Sequence, residues 1–210
     1  MNAYNPAPEY VPSYIDQKYV TNFVATYELP VGPGKKYLNN MGIVAQLAGG
    51  WQFSGILTYA GGTAMGATNS YNPLLVNGFD RPNIDTNVPL KTYNYGLSKS
   101  FFTGKTSTPP IQIPISAFPN TGPWAVGDSK RAYAALRNPP LRIENFDAIK
   151  YFHITERVVA SLRVDYFNAF NRTRLQGPDM NSLDSTFGEI TNLSSQISNR
   201  QGQATFRVEF

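Results

Sequence analysis

Cysteine is missing altogether from the 210 residues, and histidine occurs once, at His153. Neither a disulfide framework nor a thiolate or His-rich metal site is open to such a chain. Charge is scarce as well: 15% of the residues are charged, and the net +4 comes from scattered side chains. Lys35–Lys36 and Lys130–Arg131 are the only adjacent basic pairs, so a nucleic-acid partner is not expected. No run approaches the roughly 18 apolar residues of a membrane-crossing helix. The opening MNAYNPAPEYVPSYID has neither the basic start nor the apolar centre of a secretory signal.

What is present is β-like. Hydrophobic residues make up 41% and aromatics 13%, with Tyr and Phe at 13 each. QATFRVEF (203–210) alternates strictly, with Ala204, Phe206, Val208 and Phe210 against Gln203, Thr205, Arg207 and Glu209. Strict alternation makes a strand with one apolar and one polar face. RVVASLRVDYF (157–167) does the same, setting Ala160, Leu162, Val164 and Tyr166 against Ser161, Arg163 and Asp165. KYVTNFVATYEL (18–29) and WQFSGILTYAG (51–61) also alternate, whereas IENFDAIKYFHI (143–154) is β-like with mixed faces. Each has about the ten residues that a tilted strand needs to cross a bilayer in a barrel.

The connections alternate in length. Residues 29–50 form a Pro/Gly turn followed by MGIVAQLA (41–48), which has room for two helical turns. About eighty residues separate Gly61 from Arg142, ITER (154–157) is a tight turn, and 170–200 is long and polar, with TFGEIT a possible strand extension. Outer-membrane barrels have short periplasmic turns and long outer loops. If Phe210 ends in the periplasm, 62–142 and 170–200 both fall outside. The expected fold is therefore all-β: an antiparallel up-and-down sheet of about five strands with long outer loops, part of a transmembrane barrel, which the resemblance given below implies is the C-terminal arc of a large one.

In that arrangement Ala160, Leu162, Val164, Tyr166, Ala204, Phe206 and Val208 face lipid. Arg163, Asp165, Arg207 and Glu209 face the lumen, as a mixed-sign ladder or as ordinary solvated strand residues. Tyr27, Trp51, Tyr59, Tyr151, Tyr166 and Phe210 lie near strand ends, consistent with interfacial aromatic girdles or with plain β-propensity.

Other chemistry finds little footing. His153 sits beside a tight turn without a nucleophile's setting and reads as a polar strand-end residue. VGPGKKY (31–37) lacks P-loop spacing, and Pro33 removes a donor, so it is a turn. DMNSLDS (179–185) has oxygen ligands but not the spacing or Gly of a calcium loop. FNAFN (167–171) is expected to cap backbone groups at a strand exit. No enzyme activity and no cofactor are expected.

Several motifs carry a family resemblance. YELPVGPGKKYLNN (27–40) followed by LAGGWQFSGILTYAGGT (47–63) is similar to the late barrel of TonB-dependent outer-membrane receptors of the Oar-like group. RPN (81–83), ENFDAIKYFHITER (144–157), VDYFNAFNRT (164–173), STFGEIT (185–191) and a closing strand ending in Phe follow in the family's order. The resemblance implies a barrel of many strands, an N-terminal plug, and energy delivered through the TonB complex. It also implies that Phe206, Val208 and Phe210 form the signal read by the barrel-assembly machinery. On this reading residues 1–210 are the C-terminal portion of a receptor in the outer membrane of a Gram-negative bacterium. Five strands cannot close a barrel of about 22, so the chain is expected to need the rest of its barrel and plug, and not to insert stably or transport alone. The ligand is unnamed. Tyr71, Tyr93, Tyr95, Trp124 and Tyr133 in the long loops are its stacking candidates. The competing readings are a secreted all-β carbohydrate-binding module and an outer-membrane hydrolase using His153.

Overall fold

The computed structural model describes residues 5–39, 42–69, 81–90, 113–122, 125–155, 157–194 and 199–210. Its elements are β1 (Val20–Glu28), α1 (Ile43–Ala48), β2 (Trp51–Ala60), β3 (Ala64–Met65), β4 (Tyr133–Arg137), β5 (Leu141–His153), β6 (Val159–Phe167) and β7 (Gln201–Glu209). All five strands read from the alternation are present, and α1 occupies the MGIVAQLA segment. The chain divides into two compact units.

The first unit is a five-stranded sheet in the order β1-β2-β5-β6-β7, with α1 beside it. β5–β6 and β6–β7 pair antiparallel. At the two ends of β1 and β2, the Leu29 amide donates to Trp51 and the Gly61 amide to Tyr19, which makes that pair antiparallel too. β1 and β7 are the edges, and both are exposed along their length. The turn after β5 closes when the Ile154 and Thr155 amides donate to the Val158 carbonyl, while the Thr155 hydroxyl accepts from Arg157 and Val158. In the VGPGKKY turn Gly32 takes φ +113°, a conformation that only glycine adopts without strain. The Gly32 amide donates to the Tyr37 carbonyl, and Lys35 pairs with Glu28 at 2.8 Å.

Register resolves the mixed faces of β5. Phe146, Ala148, Lys150 and Phe152 stand opposite Tyr166, Val164, Leu162 and Ala160. Those in turn face Gly202, Ala204, Phe206 and Val208 on β7. Asp147, Ile149 and Tyr151 share the other side with Asp165, Arg163 and Ser161. Where β2 meets β5, a Cβ on Gly55 would lie 3.1 Å from the Phe146 ring. The missing side chain is what lets that ring lie over the neighbouring strand.

The second unit comprises the described residues within Met1–Val20, Ala60–Leu141 and Thr173–Gln196. The described residues of the long connection 62–142 contribute to it. β3 and β4 pair antiparallel, and Ala67, Ile113, Ala117, Phe118, Leu136 and Phe187 form a buried core. Phe118 meets Tyr133 and Phe187 edge to face, with centroids 5.8 Å apart in both cases. Each large apolar side chain buried here contributes roughly 1.5–3 kcal/mol, enough to order segments that lack periodicity. TFGEIT does not extend a strand. It turns, with Phe187 and Glu189 amides donating back to Asp184 and Thr186, and with Gly188 at φ +75°.

Candidate functional site

The sheet of the first unit has two chemically different faces. On one, Leu162, Val164, Tyr166, Phe206 and Val208 are all exposed, Phe206 at 66%. Ala160 shares that face but is covered, because it lies between Phe152 and Val208 in the register. A small residue between two larger ones is shielded whatever the medium outside. Ala204 sits opposite Val164 and is exposed.

On the other face Arg163 Nε lies 2.7 Å from Asp165 Oδ1, and its Nη2 lies 4.0 Å from Asp147 Oδ2. Arg207 Nε lies 3.0 Å from Glu209 Oε1. The four charges read from the sequence are therefore brought together as two pairs, each running along its own strand. With Ile149, Tyr151, Ser161, Gln203 and Thr205 they line a groove of about 510 Å³. Thr26 and Ser54 extend this polar face across β1 and β2 through a 3.3 Å hydrogen bond.

The aromatic set divides. Trp51 stacks with Phe53 on the apolar side, at 6.1 Å between centroids, and Tyr166 is there too. Tyr151 does not join them. Period two sets it opposite Ser161, so it lines the polar groove. Phe210 is fully exposed just beyond β7.

Two charged residues on the apolar side of β5 escaped the sequence reading. Glu144 is 0% exposed. Arg172 Nε donates to both its oxygens, at 2.8 and 3.0 Å, and the Tyr59 hydroxyl donates to Oε1 at 3.1 Å. Asn168 fixes the approach of Arg172: its Oδ1 accepts from the Arg172 amide and its Nδ2 donates to the Arg172 carbonyl. The expected capping role of FNAFN is thus visible. At the opposite end of the strand, Lys150 is 3% exposed and donates to the carbonyls of Gln46 and Gly49. An acid and a base at even positions among Phe146, Ala148 and Phe152 were the available signal. A charge on an apolar stripe demands a partner.

The second unit contains a pocket of about 530 Å³, lined by Gln17, Thr63, Asn138, Arg174, Gln176 and Asn192 among others. Arg174 makes no ion pair among the described residues, and burial pulls its guanidinium below the ordinary value. It nonetheless stays cationic at neutral pH. Of the loop aromatics, Tyr71, Tyr93, Tyr95 and Trp124 lie outside the described residues. Tyr133 is half-buried in β4, and its hydroxyl accepts from the Lys130 amide at 2.9 Å. His153 is exposed at the turn end of β5. In DMNSLDS, Asp179 accepts from the Asn181 amide and the Thr186 hydroxyl, bracing the loop. No metal-holding cluster of three or more acidic or imidazole groups occurs among the described residues.

An antiparallel sheet with one broad exposed apolar face and one charged face has the two-sided pattern of a membrane β-barrel wall. The outer membrane beta barrel domain family matches residues 1–203, and the chain belongs to it. No curated protein and no solved structure matches the chain. The protein accordingly resides in the outer membrane of Gram-negative bacteria, and the reading as a secreted carbohydrate-binding module gives way.

Proposed function

We propose that the chain is the C-terminal barrel segment of a TonB-dependent receptor that draws a ligand into the periplasm without catalysing a reaction. The apolar face would contact lipid and the Arg163–Asp165 and Arg207–Glu209 pairs would line the lumen. β1 and β7 would be completed by the rest of the barrel, around a plug that engages the TonB complex. Open edges in hydrocarbon cost several kcal/mol per unmet backbone group, so both require partners. Phe206, Val208 and Phe210 would carry the signal for barrel assembly. The 154–158 turn, α1 and the end of β7 share one end of the sheet, assigned to the periplasm. The long connections leave from the other.

The observation that carries this reading is that those connections build a unit with its own core and a polar pocket. A bare wall has no use for such a pocket, whereas a receptor does. Arg174, cationic and without an acid partner among the described residues, favours a ligand bearing a carboxylate or phosphate. The test is uptake of small anionic solutes by cells carrying the full-length protein, with and without a working TonB complex. Accumulation that requires the complex, and that Arg174→Gln weakens by about tenfold or more, is expected. Equal accumulation in both strains would overturn the reading.

A further inference from the structure

Helix α1 carries an apolar surface that nothing among the described residues covers. Ile43, Val44 and Leu47 are 76%, 54% and 65% exposed, while Ala45 on the inner side is 1% exposed. A helix of six residues does not persist by its own hydrogen bonds, so what holds it reveals its purpose. Among the described residues, its side-chain ties come from Lys150 and Trp51 on the apolar face of the sheet. The Lys150 ammonium donates to the Gln46 and Gly49 carbonyls, at the helix's last turn, where the backbone dipole favours a cation. The Trp51 indole donates to the Leu47 carbonyl at 3.4 Å. Lys150 reaches the helix between aromatic rings, 5.8 Å from the Trp51 centroid and 5.1 Å from that of Phe152. Its stem covers apolar surface while its charge is carried to the strand end.

We propose that α1 is an interfacial foot: Ile43, Val44 and Leu47 rest in the boundary between headgroups and acyl chains, and Lys150 clamps the helix there. The occupant is phospholipid, because the outward side of α1 continues the exposed apolar face of an outer-membrane sheet at the point where that face ends. A helix that sinks one apolar side into the boundary between headgroups and acyl chains lies in the membrane plane. The leaflet, the periplasmic one, rests on the orientation proposed above.

The test uses the full-length protein reconstituted into phosphatidylethanolamine–phosphatidylglycerol vesicles, with single nitroxides at Val44→Cys or Leu47→Cys. This chain contributes no cysteine of its own. Val164→Cys and Lys36→Cys serve as references for the apolar sheet face and the aqueous turn. Labels at 44 and 47 are expected to collide with oxygen severalfold more than with a water-soluble nickel chelate, at a depth between the two references. Collision dominated by nickel, as at position 36, would overturn the proposal. Lys150→Met should move both labels towards nickel and Lys150→Arg should leave them in place; unchanged depth in Lys150→Met removes the clamp. Labelling of Lys36→Cys in intact cells by a maleimide coupled to a polymer too large for porin channels reports orientation separately. Reaction there would reverse the leaflet and the receptor's assigned orientation while leaving the interfacial depth standing.

Discussion

Asp147 and Asp165 face each other directly across β5 and β6, and Arg163 reaches both, at 4.0 and 2.7 Å. Like charges opposite one another in a sheet repel. The guanidinium between them turns that repulsion into a three-residue brace on the polar face.

Arg163→Met should therefore destabilise the protein by about 1 kcal/mol, since the guanidinium is half exposed and water screens it. Adding Asp147→Asn should recover most of the loss. Urea unfolding of the full-length protein in micelles, followed by heat-modifiable migration, measures both variants.

One residue away the expected outcome reverses in kind. Val164→Arg places a charge on the apolar face between Ala148 and Ala204. It should cost about 2–4 kcal/mol near the membrane centre. A loss no larger than that of Arg163→Met, measured in vesicles, would mean that this face does not meet hydrocarbon.

Glu144 has no solvent of its own and relies on Arg172 and Tyr59. Arg172→Ala should cost about 2–3 kcal/mol, less than for a fully buried partner because Arg172 is partly wet. Tyr59→Phe should cost about 1 kcal/mol. The double variant Arg172→Ala/Glu144→Gln should be more stable than Arg172→Ala alone, which a double-mutant cycle will read directly.

Gly55→Val inserts side-chain atoms where the Phe146 ring lies. Overpacking of this sort costs about 1–3 kcal/mol. Phe146→Ala in the same chain should relieve it, and two losses that simply add would show that the contact is not tight.

In the second unit, burial against Phe118 raises the Tyr133 phenol above its ordinary value of about 10. The fold thus favours the neutral phenol. Its contribution is complete below pH about 10 and falls as pH rises from there towards the folded value. Tyr133→Phe should remove that alkaline loss, as an ultraviolet titration of unfolding will show. It should also cost about 1 kcal/mol at neutral pH, through the lost bond from the Lys130 amide.

How much of this was legible beforehand depended on range. Period-two alternation located β1, β2, β6 and β7, because the side chain's face follows from its position in the strand alone. Leu162 and Arg163 could be assigned to opposite faces with no knowledge of their neighbours. β5 was harder: Glu144 and Lys150 interrupt its apolar stripe, and their partners, Arg172 and the Gln46 and Gly49 carbonyls, lie 28 to 104 positions away.

The sequence by itself determined that this is a two-faced antiparallel sheet with long connections, since strand patterning is local and repeats along each segment. Only the tertiary structure decided that charges pair along strands, that Tyr151 turns to the polar face, and that Ile113, Phe118, Leu136 and Phe187 meet in one core. Those outcomes depend on register and on chain closure over tens of residues. Contact between distant, aperiodic residues leaves no local signature, because what selects it is the apolar surface buried when the segments meet.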